Sequence, residues 1–134
     1  MSEHAEVRLL LVEDEDALGK LLARFLERAG FAVVAVTHGV QAIVELQNGD
    51  AAFAAMILDL TLPDMAGEDV LAAARGLRPG LPVILTSGMA APVRSSAAAP
   101  GPTEFLMKPY LPARLEEAVR RVLEPQSPSS STAS

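Results

Sequence analysis

The sequence predicts an α/β domain, five βα units around a parallel sheet with helices on both faces. Two observations carry that expectation. Short apolar runs alternate with segments of helical period from one end of the chain to the other. The runs are nearly continuous rather than alternating, the pattern of strands buried on both faces, as in a parallel sheet covered by two helix layers. At 134 residues the chain is one domain of ordinary size. Such a domain buries about two thirds of its unfolded surface and needs no covalent staple.

The elements follow in chain order. Residues 7–12 form the first strand, stopped by Glu13-Asp14-Glu15-Asp16. Leu18, Leu21, Leu22, Phe25 and Leu26 then recur at helical spacing, with Asp16 as N-cap and Gly30 as the stop. Residues 31–36, rich in valine, are the second strand, and His38-Gly39 turns the chain into a helix over about 40–48. Residues 53–58 form the third strand and end on Asp59. Pro63-Asp64-Met65-Ala66-Gly67 is a loop before a helix over 68–77, which Pro79-Gly80-Leu81-Pro82 breaks. Residues 83–86 are the fourth strand. A short fourth helix is expected over 91–99, between Pro92 and Pro100. Residues 104–107 make the fifth strand before Lys108-Pro109. Leu111, Leu115, Ala118, Val119, Val122 and Leu123 mark a fifth, amphipathic helix with Pro112 in its first turn. Residues 125–134 contain only Pro, Ser, Gln, Thr and Ala and read as a disordered tail or linker, leaving 6–124 as the folded unit.

Composition narrows the function. The absence of cysteine excludes a disulfide scaffold, a thiolate metal site and a cysteine nucleophile. An apolar half excludes a disordered chain. No apolar run approaches the roughly 18 residues of a membrane span, and the acidic start Met1-Ser2-Glu3 is the opposite of a secretory signal. The expectation is a cytoplasmic protein with no membrane contact. Charge is uneven: residues 1–70 hold 13 of the 17 acids and four of the 11 bases. No basic stripe exists to neutralise phosphates, so no nucleic-acid partner is expected; the acidic half suits a cation or a basic partner.

In an open α/β sheet the ligand crevice lies beyond the carboxyl ends of the strands. Strand one ends in Glu13-Asp14, strand three in Asp59, strand four in Thr86-Ser87-Gly88 and strand five in Lys108-Pro109. With strands one and three adjacent, three carboxylates converge. Two unit charges about 5 Å apart repel by roughly 3 kcal/mol at an effective dielectric near 20. Glu13 to Asp16 alone would be only a loop with a helix N-cap. Beside a hydroxyl, Ser87, and an ammonium, Lys108, the cluster reads instead as a Mg2+ corner where Asp59 attacks phosphorus in line. Ser87 and Lys108 then take the transferred oxygens.

These stretches carry a resemblance. Leu10-Leu11-Val12-Glu13-Asp14-Glu15, Leu58-Asp59-Leu60-Thr61-Leu62-Pro63-Asp64-Met65-Ala66-Gly67, Pro82-Val83-Ile84-Leu85-Thr86-Ser87-Gly88 and Phe105-Leu106-Met107-Lys108-Pro109-Tyr110 are similar to the motifs of two-component response regulator receiver domains. The match covers about residues 6–124. It implies a flavodoxin-like (βα)5 fold with strand order 2-1-3-4-5. By resemblance, Asp59 is the phosphoacceptor, charged by a phosphohistidine on a histidine kinase or histidine phosphotransfer protein. Asp14, Asp59 and the backbone carbonyl of Thr61 would ligate Mg2+, with Glu13 acting through water. Ser87 and Lys108 would bind the phosphoryl oxygens, and the Lys108–Pro109 peptide would be cis. Ser87 and Phe105 would be the switch pair that repacks the strand 4, helix 4, strand 5, helix 5 face. The expected activity is phosphoacceptor signalling rather than enzymatic turnover, with Mg2+-dependent self-phosphorylation and autodephosphorylation, in a monomer or weak dimer.

Departures from the family pattern are Phe105 in place of tyrosine, Thr61 and Met89 at the positions that tune dephosphorylation, and a short, proline-bounded fourth helix. Only the Pro/Ser tail follows the fifth helix, so the resemblance extends to single-domain regulators and, more closely in residues 78–89 and 101–109, to the receivers of hybrid sensor kinases. A haloacid-dehalogenase-type phosphatase would need an acid where the chain has Thr61. A flavodoxin would bring its cofactor phosphate against Glu13 to Asp16, which repel it. The remaining alternative is a degenerate receiver that acts as an interaction module without phosphorylation.

Overall fold

Alternate residues of strand β1 (Arg8–Val12) point into two different cores. Leu9 and Leu11 pack with Leu22 and Leu26 of α1 (Asp16–Arg28) and with Leu115, Val119 and Val122 of α4 (Pro112–Leu123). Leu10 and Val12 pack with Ala42 and Leu46 of α2 (Gly39–Gln47) and with Val70, Leu71 and Ala74 of α3 (Gly67–Leu77). This follows from the two-residue period of a strand, since a continuous apolar run must feed both faces. Each such side chain, fully buried, contributes about 2 kcal/mol of transfer free energy.

The computed structural model describes residues 6–48, 52–88 and 101–124. Its sheet is five-stranded and parallel, in the order β2-β1-β3-β4-β5, where β2 is Ala32–Val36, β3 Phe53–Asp59, β4 Val83–Ser87 and β5 Thr103–Met107. The flavodoxin-like order implied by the resemblance is therefore present. Among the described residues no helix is long and apolar enough to cross a membrane. The helix expected over 91–99 and the tail over 125–134 lie outside the described residues, so the fifth helix of the sequence reading is α4 here.

Most boundaries shift by one residue. Asp16 is not the N-cap of α1: Glu15 holds that extended position, and Asp16 is the first helical residue, pairing with Lys20 one turn on at 3.1 Å. Its charge still sits where the helix dipole favours an acid. Burial on both faces holds for β1, β3 and β4, whereas β2 and β5 are half-exposed because they are the sheet edges.

Two contacts fix the loop between β3 and α3, which carries the site. The first is at Gly67, where a Cβ would lie 2.5 Å from Leu60 Cα and 2.9 Å from its carbonyl oxygen. Only a residue without a side chain lets α3 start against the end of β3. The second is Asp64, whose carboxylate accepts the N–H groups of Gly39 at 2.8 Å and Val40 at 3.0 Å. It thus caps the N-terminus of α2 from 24 residues away in sequence, a distant version of the N-cap bond. The Gly39 N–H is the main reason that its carboxyl titrates below the ordinary aspartate value.

At the opposite end of the sheet a buried guanidinium ties three segments. Arg75 of α3 donates from Nε to the Leu81 carbonyl at 3.0 Å, and from Nη2 to the Pro102 carbonyl and the Thr103 hydroxyl, both at 2.8 Å.

Gly67→Ala is expected to destabilise the fold by about 2 kcal/mol, because the methyl group must displace backbone rather than a flexible side chain, and thermal unfolding checks this. Asp64→Ala is expected to lower the thermal midpoint at neutral pH. A depressed folded pKa contributes stability that is present above the unfolded value and lost as pH falls through the folded one. The gap between variant and wild type should therefore close only below about pH 3.8.

Candidate functional site

The carboxyl ends of β1, β3, β4 and β5 meet at one rim, and their last residues supply the site. Backbone bonds continue the sheet past the strands: Glu13 N–H to the Val36 carbonyl at 3.1 Å, Leu60 N–H to Thr86 at 2.9 Å, and Lys108 N–H to Ser87 at 2.7 Å. Glu13, Asp59 and Lys108 are thereby placed by main chain before their side chains meet.

Asp59 closes β3 and is 2% exposed. Its Oδ1 accepts the Thr61 N–H at 2.8 Å and its Oδ2 accepts Lys108 Nζ at 2.9 Å, so each oxygen is held by a different donor. Lys108 also donates to both Glu13 oxygens, at 3.0 and 3.2 Å. Glu13, 3% exposed, accepts the Glu15 N–H at 3.1 Å as well. One ammonium thus bridges two buried carboxylates, and the peptide that follows it, Lys108–Pro109, is cis.

The electrostatics follow from that arrangement. Burial raises the Glu13 pKa, and the hydrogen bonds from Lys108 and the Glu15 N–H only partly offset it. Burial by itself would depress Lys108. The hydrogen bonds to Asp59 and Glu13 more than reverse this and hold its pKa above the ordinary value. Tyr110, two residues on, is pushed up to about 12 by burial and by the Glu13 charge.

Glu13, Asp14 and Asp59 each offer a carboxylate oxygen within 4.8 Å of the others, with Asp14 exposed. Three hard oxygen donors with one open to water could hold a hard divalent cation such as Mg2+. The donor set fits that ion. Thr61 lies at the rim with its N–H on Asp59 and pairs with Ala66 in an isolated bridge across the loop.

Ser87 is buried at the end of β4. In the register Leu85↔Phe105 and Ser87↔Met107, Ser87 and Phe105 share one sheet face on neighbouring strands. The half-buried Phe105 ring packs on the core of that face.

All the residues expected from sequence come to this rim except Phe105, which sits below it on the β4–β5 face. Sequence reasoning missed the pairing of Lys108 with Glu13, 95 residues apart, because it is decided by how far the turn after β5 reaches across the sheet. It also missed the Asp64 cap. The signal available for that was an acid between Pro63 and Gly67 in the loop facing α2.

Lys108→Met is expected to destabilise the protein by about 3 kcal/mol at neutral pH, since two buried carboxylates lose their shared ammonium. The loss should shrink as pH falls through the Glu13 pKa, which burial raises above the ordinary glutamate value. Adding Asp59→Asn should restore most of it. Thermal midpoints across pH for the single and double variants check both statements.

Residues 9–120 match the family model described as the response regulator receiver domain. Transcriptional regulatory protein TcrA of Mycobacterium tuberculosis is 37% identical over 128 residues, which is 92% of this chain and 50% of that one. Transcriptional regulatory protein CusR of Escherichia coli is 32% identical over 118 residues, 87% of this chain and 51% of that one. The chain spans about half the length of these curated relatives. A crystal structure of a response regulator receiver protein from Sinorhizobium medicae superposes with a TM-score of 0.78 at 33% identity, covering 88% of this chain and 94% of that one. Sheet order, acidic rim and family match agree, and the chain belongs to the response regulator receiver domains of two-component signalling systems.

Proposed function

We propose that the chain is an active phosphoacceptor in a His–Asp phosphorelay, with Asp59 as the acceptor and a histidine kinase or histidine phosphotransfer protein as the donor. The observation that carries the reading is the state of Asp59. A carboxylate 2% exposed sits at a strand end, with an ammonium at 2.9 Å and two further carboxylates beside it. A purely structural carboxylate would be paired and left alone, whereas this one keeps acids around it that repel it.

Transfer breaks the P–N bond of the phosphohistidine and forms a P–O bond to a carboxylate oxygen of Asp59. The imidazole leaves with the electron pair and takes a proton. The Thr61 N–H fixes the carboxylate plane for in-line attack, and Lys108 and Ser87 receive the transferred oxygens. Asp14, Asp59 and the Thr61 carbonyl would hold Mg2+, with Glu13 acting through water. When bound, the ion supplies charge neutralisation for the phosphoryl oxygens. A Ser87 hydroxyl drawn to the new group pulls on the face it shares with Phe105, and so links the rim to the β4–β5 surface. Phe105 has no hydroxyl, so the readout there is packing alone.

Intact mass after incubation with a small-molecule phosphodonor tests the reading. A gain of one phosphoryl group that requires Mg2+ and is abolished by Asp59→Asn is expected. No gain under any condition, with the fold intact, would overturn it in favour of an interaction module that works without phosphorylation.

A further inference from the structure

The loop after β3 folds back on itself, Thr61 pairing with Ala66 in an antiparallel bridge and the Gly67 N–H reaching the Leu60 carbonyl at 3.3 Å. Asp64 stands at the tip of this turn. Its two carboxylate oxygens accept the Gly39 and Val40 N–H groups at the start of α2. The next side chain packs there too, since a Cβ on Gly39 would lie 3.0 Å from the Met65 sulfur. The tip of the turn is thus fastened to α2, and its base is fastened to Asp59 by the Thr61 N–H at 2.8 Å.

Capping α2 does not by itself require a residue from another loop. A Ser, Thr, Asp or Asn at the N-cap serves the first N–H groups of a helix from within its own segment. Here the residue at that position is His38. The helix start also has a local fastening, because the Gln41 side-chain oxygen accepts the Thr37 and His38 N–H groups at 2.9 and 3.0 Å. What a carboxylate supplied by the β3–α3 loop adds is a fixed position for that loop. The loop contains Thr61, whose carbonyl is a Mg2+ ligand in the function proposed above. A backbone ligand cannot change rotamer to meet an ion, so its placement depends on what holds the chain on either side of it.

We propose that Asp64 is a positioning residue for Mg2+: by tying the tip of the 61–66 turn to α2, it holds Thr61 at the rim before the ion arrives. The inference rests on the Mg2+ site of the phosphoacceptor reading and adds α2 to the elements that build that site.

Mg2+ titration of the whole chain without phosphodonor, followed by the amide resonances of Leu60, Thr61 and Leu62, tests it. Outer-shell partners of a metal site are typically worth roughly tenfold to a hundredfold in affinity, and Asp64→Ala is expected to weaken Mg2+ by about tenfold. Asp64→Asn keeps an accepting oxygen at the helix start and should recover most of that. Gln41→Ala loosens the same end of α2 from its own side and leaves the loop alone. It should lower the thermal midpoint without changing the Mg2+ affinity. Equal affinity in Asp64→Ala and wild type would overturn the proposal. Equal weakening by Gln41→Ala would do so too, because the stability of α2 would then be the cause. Asp64→Asn as weak as Asp64→Ala would also overturn it, by making charge the cause. A wild-type protein whose rim resonances do not respond to Mg2+ would instead overturn the metal site beneath the proposal.

Discussion

Everything at the rim depends on one ammonium between two carboxylates. Glu13 and Asp59 are each almost wholly withdrawn from water and both touch Lys108 Nζ within 3.2 Å. Without that cation, burying two like charges side by side would oppose folding by several kcal/mol. Lys108 therefore ties the ends of β1, β3 and β5 into one unit, although β5 is two strands away from β3 in the sheet. The contact is a compromise, because the group that stabilises the resting site is also the one that an incoming anion would recruit. On the phosphoacceptor reading proposed above, that cation is the group through which a switch would act.

The rest of the fold holds this rim rigid. Loops that carry site residues are pinned by neighbours rather than by their own sequence. Asp64 caps α2, Gly67 lets α3 press on Leu60, and the strand ends continue in hydrogen bonds after the side chains have turned toward the rim. At the far end Arg75 clamps α3 to the segments that enter β4 and β5. Between these ends Ser87 and Phe105 lie on one face of adjacent strands, two residues apart along the register. On the proposed reading, a displacement at the rim would reach the half-buried Phe105 through adjacent parallel strands.

Much of this was legible because chemistry and period coincide along the chain. The nearly continuous runs at β1, β3 and β4 could only be strands buried on both faces, and each ends at a residue unsuited to a core: Glu13, Asp59 or Ser87. Pro112 and the spacing from Leu115 to Val122 fixed α4. The half-exposed edges β2 and β5 are not distinguishable from buried strands in the sequence, since valine-rich or mixed runs do not reveal their place in a sheet. Asp16 resembles a cap in the sequence because an acid at a helix start satisfies the dipole equally well from the first helical position.

By itself, the sequence determined the class of fold, the number of strands and the residues that stand at the strand ends. Those are set by local hydrophobic period and by the residue types that interrupt it. The tertiary structure alone decided which charges meet. Lys108 bridges Glu13 and Asp59, and Asp64 serves a helix it does not belong to. Pairings between residues 24 to 95 positions apart are fixed by sheet order and by the path of the loops over the rim. No local pattern encodes a distance across a sheet, so these contacts exist only once the strands have taken their places.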